Sequence, residues 1–503
     1  MKKYTQTKSV NSLTLFVFFV ICVNANVAIA SSQLMQKRIE INCQGPLQEC
    51  PILEQSLEIR PQNIYHYQQK FLLIEFEQAL NLEKIRDYFK QNATSKKQQR
   101  QLLKMFLSTL NQKSLKQFQP TLSELNKREL IVKVQPLVIN NSVLLELEPS
   151  NYEQVLRIVD SSNAGHINKS KTIKKTAPLA TQGSLQSSQQ KAKKDAVSLK
   201  DNSKAFSQLG FDKLAQQQAS MDVTIALIDS GVSTQHQELQ HLGHLDQYNP
   251  KDNSYEQKDT GFGHGTGVLS LLASSNHFQR SISVLPTANY LSCNGLPSGR
   301  YHYIWVVACY DWLLQQSNVD IAINSWLQPE LQCNDELLYS LRALWLANTI
   351  PVFSAGNFGK DELTSRDPVN FKLFDDVPLI SVGATTTNFK PYSESSYGDN
   401  LCGNGVVSPT ISTIGTELLV AHPFNRDSYQ IVNGTSYSVA LVAAAIAILI
   451  EQAPEAPLEL IIKSLVENSD TIAEKPYPLK PLNLQRTVRQ LRQNNNQLSI
   501  MVD

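Results

Sequence analysis

An excess of charge of either sign is missing from this sequence. It carries 46 Lys and Arg against 45 Asp and Glu, a formal net charge of +1. No global field favours nucleic acid or an anionic surface, and nucleic acid is excluded as a partner on that ground. Metal-type Cys-x-x-Cys spacing is also absent, as are internal repeats. A bilayer-length apolar run is missing as well. Residues 437–450 read YSVALVAAAIAILI, and Glu451 and Pro454 close the run before the roughly 20 residues a span requires. What remains is an ordinary globular composition, 42% hydrophobic and 18% charged. The chain is long enough for two or three cores.

The N-terminus is patterned. Lys2, Lys3 and Lys8 precede the apolar run 13–23, which ends in Val27-Ala28-Ile29-Ala30. A basic start, a short apolar stretch and a small-x-small site read as an export signal over residues 1–30, cut after Ala30. The expected location is then secreted or periplasmic, with no stable membrane span once the signal is removed. Removal also discards Cys22 and leaves an even set of cysteines, which in an exported chain points to disulfides. Cys43 and Cys50 flank Gly45-Pro46 and are expected to pair locally. Cys293, Cys309, Cys333 and Cys402 admit three pairings, among which the sequence does not choose.

Composition then divides the chain. Residues 31–165 read as a small α+β unit. Strands are expected at 71–76, 130–138 and 143–147, helices at 79–90 and 152–159, and a Lys/Gln-rich helical segment near 95–118. Residues 166–205 lose apolar periodicity and read as a flexible linker. Residues 206–485 alternate apolar strands with helices. Strands are expected at 223–228, 282–285, 288–292, 321–325, 350–354 and 379–384, and helices at 264–273, 304–315, 337–347 and 436–450. Such alternation implies an α/β domain whose parallel sheet is covered on both faces. Residues 486–503 read as a polar Gln/Asn-rich tail that frays.

In parallel sheets, chemistry gathers at the carboxyl ends of strands. Four such places stand out: Asp229-Ser230-Gly231, then Gly263-His264-Gly265-Thr266, then Ser354-Ala355-Gly356-Asn357, and Asn433-Gly434-Thr435-Ser436. Each alone has an ordinary reading. Asp229 could be a turn former, His264 a helix cap, Asn357 a loop residue, and Thr435 or Ser436 an N-cap on an apolar helix. Together they supply a hydroxyl, an imidazole base, a carboxylate to orient that base, and a carboxamide to bind an oxyanion. In this order, the four motifs resemble those of the subtilisin-like serine peptidases, over about 221–451.

The resemblance implies a subtilisin-like three-layer α/β fold, with Asp229 as orienting acid, His264 as general base, Ser436 as nucleophile and Asn357 as oxyanion donor. It implies a serine endopeptidase acting on polypeptides, with no cofactor required. It also implies substrate contacts at Ser325, Trp326, Leu327 and Gly295. The 31–165 unit is similar to the propeptides of this family, which implies an intramolecular inhibitor removed by self-cleavage between about 160 and 205. A peptide-binding protein without activity is the alternative from another class. All four groups are present, which a binding module does not need. Transfer of the acyl group to an amine in place of water is a third reading that the sequence does not separate.

Departures from the family pattern are specific. Ala440 stands where a proline is usual, Leu441 where a histidine is usual, and Gly267 where a histidine is frequent. The family's Ser-x-Gly-Gly rim reads Ser325-Trp326-Leu327-Gln328 here, which narrows the cleft and predicts a restricted substrate range. His236, His241 and His244 fit no strong zinc pattern, so no metal site is predicted. Structural calcium occurs near the positions of His236 and Glu238 in some relatives, but the loop 274–280 lacks carboxylates.

Overall fold

The computed structural model describes residues 61–92, 95–162, 201–212, 221–276, 280–328, 333–359, 364–399, 402, 406–469 and 479–502. Beyond residue 493 it gives the backbone alone. The expected export signal, the Cys43–Cys50 pair and most of the expected linker lie outside these residues.

The core domain is a seven-stranded sheet. Its strands are β5 (Thr224–Asp229), β6 (Asp246–Tyr248), β7 (Asn289–Asn294), β8 (Ile321–Asn324), β9 (Ile350–Ser354), β10 (Ile380–Thr385) and β11 (Ile411–Ile414). The order is β11-β10-β9-β8-β5-β7-β6, and every pairing is parallel. The inner strands are mainly apolar and almost wholly buried because helices cover both faces. Helices α5 (His264–Ala273) and α8 (Thr435–Gln452) pack together on one face. Helices α6 (Tyr303–Gln315) and α7 (Leu338–Leu346) pack against each other and contact strands β5, β7 and β9. Helix α8 alone among the described residues is long and apolar enough to cross a membrane, and it is buried inside the domain. After β5 the chain builds β6 and β7 on one side and β8 onward on the other. The carboxyl end of β5 is therefore a topological switch point.

The N-terminal unit is a four-stranded antiparallel sheet, β1 (Pro61–Tyr67), β2 (Phe71–Phe76), β3 (Lys133–Leu137) and β4 (Ser142–Glu146), in the order β1-β2-β4-β3. It carries helices α1 (Leu82–Gln91), α2 (Lys96–Lys127) and α3 (Tyr152–Ser162). Helix α2 outruns its expected end near 118, because Leu122 and Leu125 continue its buried stripe past Pro120. The sheet lies on α6, which is buried on every side. Tyr65 packs on Tyr303 with ring centroids 4.4 Å apart, and Tyr67 and Phe71 meet Trp305 edge-on. Asp311, on the same helix, accepts from the backbone N–H of Val138 at 2.6 Å and Ile139 at 3.0 Å. Burial pushes the Asp311 carboxyl up to about 6, against the pull of those two N–H groups.

Arg100 anchors α2 to the core domain. It donates to Leu313 O, to Gln316 O at 3.1 Å, to Ala347 O at 3.0 Å and to Thr349 Oγ1 at 3.2 Å. These carbonyls close the C-terminal ends of α6 and α7, where a cation is favoured. Burial lowers the guanidinium to about 10, still fully charged near neutrality. Arg100→Met leaves the carbonyls unserved and is expected to weaken the hold on the N-terminal unit by about 2–5 kcal/mol. A urea titration followed through Trp305 fluorescence checks this, because that ring lies under the N-terminal sheet.

Two expectations are corrected. The tail expected to fray is helix α10 (Leu484–Val502), with Leu484, Val488 and Leu491 buried against α8 and α9 (Leu458–Glu467). Residues 282–285 are not a strand. The N–H groups of Val284 and Leu285 donate to Leu271 O and Leu272 O, satisfying the last turn of α5 instead of a sheet edge. Of the open cysteine pairings, the structure has Cys293–Cys309 and Cys333–Cys402.

Candidate active site

Asp229 ends β5 fully buried. Its Oδ1 accepts from the Ser230 N–H at 2.7 Å and from His264 Nδ1 at 2.8 Å, and its Oδ2 lies 3.0 Å from the same nitrogen. His264 opens α5, and its approach to Asp229 depends on the residue that follows. A Cβ added at Gly265 would lie 2.3 Å from Gly231 O and 3.3 Å from Asp229 Cβ. Only glycine allows the helix to start this close to the strand end. The Asp229 contact fixes the imidazole as its Nδ1–H tautomer, leaving Nε2 as the base. Burial alone would lower the imidazolium pKa. The charge and hydrogen bond of Asp229 outweigh burial and hold His264 above its ordinary value.

Ser436 is the second residue of α8 and is nearly buried. Its hydroxyl donates to Ser325 O at 3.2 Å, and the Ser325 hydroxyl returns a bond to Ser436 O at 3.2 Å. Asn357, after β9, turns its carboxamide by accepting through Oδ1 from Thr435 N at 3.0 Å and Thr435 Oγ1 at 3.1 Å. That leaves the NH2 end as the donor. The structure thus pairs Asp229 with His264 and Asn357 with the residue before Ser436, while the Ser436 hydroxyl is bonded to Ser325 O and not to His264.

The expected substrate contacts divide. Ser325 is bonded to Ser436, and Leu327 is buried on the Cα face of Gly356. The Trp326 ring is buried against Tyr301 and Phe353, and its indole N–H donates to Ile228 O at 3.1 Å. Gly295 is packed inward, since a Cβ there would lie 2.8 Å from Ile228 Cγ2 and 3.4 Å from Cys309 Sγ.

Sequence reasoning missed Asp259. Its Oδ1 accepts from Ser230 Oγ at 2.9 Å, Gly261 N at 3.0 Å and Gly263 N at 3.1 Å. Its Oδ2 accepts from Thr266 N at 2.9 Å and Thr266 Oγ1 at 2.7 Å. One carboxylate thus ties the residue after Asp229 to both flanks of His264. In sequence it looks like any loop aspartate; its one signal is its place just before the glycine-rich turn.

One departure, Gly267, is met by a side chain from α8. A Cβ at Gly267 would find Tyr437 Cε1 at 3.6 Å and its hydroxyl at 3.7 Å. The Tyr437 ring, 6.1 Å from that of His264, thus covers the space beside the missing Gly267 side chain. Among the described residues no group of three or more His, Cys, Asp or Glu could hold a metal ion. Glu238 accepts from Tyr429 at 2.6 Å and Ser275 at 3.2 Å, and His236 Nε2 contacts Ser428 O at 2.8 Å.

The structure thus sets a carboxylate–imidazole pair at the switch point of a parallel α/β sheet and a serine at the start of a central helix. The Subtilase family model matches residues 220–493, more than half of the chain. The chain belongs to the subtilase family. Subtilisin NAT of Bacillus subtilis subsp. natto and subtilisin E of Bacillus subtilis (strain 168) are each 26% identical to it over 234 residues, 46% of this chain and 56% of theirs. Subtilisin DY of Bacillus licheniformis is 25% identical over 264 residues, 52% of this chain and 89% of its own. The chain thus spans little more than half the length of subtilisins NAT and E. Among solved structures, the prenylagaramide maturation protease PagA is 18% identical, with 56% of this chain and 98% of that one covered at a TM-score of 0.45.

Proposed function

We propose that the chain is an exported serine endopeptidase of restricted substrate range that processes its own N-terminal unit. The observations that support this reading are the Asp229–His264 hydrogen bond and, at the start of α8, the Ser436 hydroxyl beside a carboxamide of Asn357 oriented by Thr435. In this scheme the Ser436 hydroxyl leaves Ser325 O and gives its proton to His264 Nε2 as Oγ attacks the carbonyl carbon. Catalytic hydrogen bonds are commonly loose before substrate binds. The oxyanion is held by Asn357 Nδ2 and the Ser436 N–H. His264 then protonates the leaving amine, and water, deprotonated by the same imidazole, releases the acyl group from Ser436.

The N-terminal unit is read as an intramolecular inhibitor, supported by its large apolar footing on α6. Export is supported by the basic, apolar and small-residue pattern of residues 1–30 and by the two disulfides. Intact mass and N-terminal sequencing of the wild type beside Ser436→Ala test the proposal. A wild type cut between about 160 and 205 and a full-length variant support it. Identical cutting of both contradicts self-processing.

The raised His264 pKa sets the pH dependence. Activity needs the neutral base, so kcat/KM is expected to rise with pH, with its midpoint above the ordinary imidazole value of about 6.5. Stability runs the other way. A raised folded-state pKa contributes stability in full below about 6.5, and that contribution fades as pH rises through the folded value. A pH–rate profile beside a pH–Tm series checks both signs.

Asp259 is a positioning residue in this scheme. Each of its five contacts is a donor, so Asp259→Asn sets an N–H group against another donor. Displacing His264 in this way is expected to lower kcat by up to about a hundredfold while KM changes little. Steady-state kinetics that find KM alone altered contradict this role.

A further inference from the structure

The segments after β8 and β9 face each other beside Ser436. On one side Ser325 exchanges two hydrogen bonds with Ser436, and on the other Asn357 is fixed by Thr435. Two residues past Ser325, the Leu327 side chain lies on the Cα face of Gly356, the residue before Asn357. A Cβ built on Gly356 would come within 2.8 Å of Leu327 Cδ1 and 3.3 Å of Phe358 Cδ2. The Phe358 ring is covered in turn by the Arg366 guanidinium, 3.7 Å from its centroid. Leu327 is only 6% exposed.

Its position is held from both sides. Trp326 before it is anchored by its indole bond to Ile228 O, and the Gln328 N–H after it donates to Asp367 O at 2.9 Å. Consider a carbonyl attacked by Ser436 Oγ with its oxygen on Asn357. Its leaving group lies toward His264, the proton donor. The acyl-side residue is then directed between the two segments, where its side chain meets the Leu327–Gly356 wall.

We infer that Leu327 closes the slot for the acyl-side residue, so that cleavage follows glycine or alanine and not a larger or charged residue. This rests on the catalytic reading above and names the substrate class of the same site. Any side chain past Cβ must displace a buried leucine whose backbone is pinned, and misfits of this size in an apolar pocket cost about 10–200-fold in rate.

The test uses the protein as expressed, after its self-processing, and peptidyl diphenyl phosphonates that end in alanine, phenylalanine or glutamate analogues. Ser436 Oγ bonds to phosphorus, one phenoxide is displaced, and the proton passing through His264 leaves with it as phenol. A plain alkyl fluorophosphonate without an acyl-side residue is run beside them. The expected result is labelling of Ser436 by the alanine probe at least about tenfold faster than by the other two. Leu327→Gly is expected to raise the phenylalanine-to-alanine rate ratio by at least about tenfold. A ratio does not depend on the fraction of protein that folds. Faster labelling by the phenylalanine probe in the wild type, or an unchanged ratio in Leu327→Gly, overturns the inference. Preference for the glutamate probe overturns it in favour of a carboxylate read by Arg366. Failure of every probe, the fluorophosphonate included, overturns the catalytic reading and the inference with it.

Discussion

Ser436→Ala is expected to cut kcat on a peptide substrate by about a million-fold, the order found when the triad serine is removed from a subtilisin. The loss is that large because the three groups act as one unit: without the hydroxyl, His264 and Asp229 have no proton to move and no acyl-enzyme forms. Binding should survive, since Ser436 would contribute a single oxygen to the contacts with a bound peptide. Folding should survive too. The hydroxyl contact that is lost, to Ser325 O, is one of a pair, and the Ser325 hydroxyl keeps its own bond to Ser436 O. Stopped assays with a labelled peptide, beside a Kd for the same peptide, check this. A variant retaining more than about a thousandth of wild-type kcat would exceed what the oxyanion hole and binding alone supply over the uncatalysed rate, and would contradict Ser436 as nucleophile.

Asn357 gives the second large effect, and its two ends separate the causes. Asn357→Leu removes the Nδ2 donor and is expected to lower kcat by about 10²–10³-fold with KM little changed, because the donor serves an oxyanion that exists only in the transition state. The same change also removes Oδ1, the acceptor for Thr435 N and Thr435 Oγ1 at the start of α8. A buried donor left without its partner costs about 1–3 kcal/mol, so Tm should fall as well. Asn357→Asp keeps an acceptor for Thr435 while removing the donor and placing a negative charge beside the oxyanion. It should hold Tm closer to wild type and lose at least as much kcat. If the two variants lose kcat in proportion to Tm, Asn357 is a structural cap on α8 and not a donor to the reaction.

Five of the seven sheet strands were legible because parallel strands covered on both faces appear as short apolar runs; the edge strands β6 and β11, three and four residues long and partly polar, were not. Asp229 comes after the run 223–228 and Asn357 after 350–354. Helix α10 was not legible: its Gln and Asn residues suggest a tail, while only Leu484, Val488 and Leu491 mark the buried stripe. Residues 282–285 have strand-like composition, but tertiary contact with the end of α5 claims their N–H groups. Strand β1 went unread because Gln62, Asn63 and His66 interrupt its apolar pattern. At the site, individual chemistry could be read from motif order, whereas support could not. Asp259 acts through five hydrogen bonds to groups spread from Ser230 to Thr266, and no local pattern encodes that convergence. Trp326 and Gly295 lie on segments that border the cleft, but only the fold shows that both face inward.

The central claim is that Ser436 is a nucleophile activated by His264. The most direct measurement is peptide mapping of the native protein after treatment with an alkyl fluorophosphonate, beside His264→Ala. The account predicts one adduct, on Ser436, formed in the wild type and slowed by at least about a thousandfold in the variant. An adduct on another residue, or labelling of Ser436 at equal rates in both proteins, would contradict it.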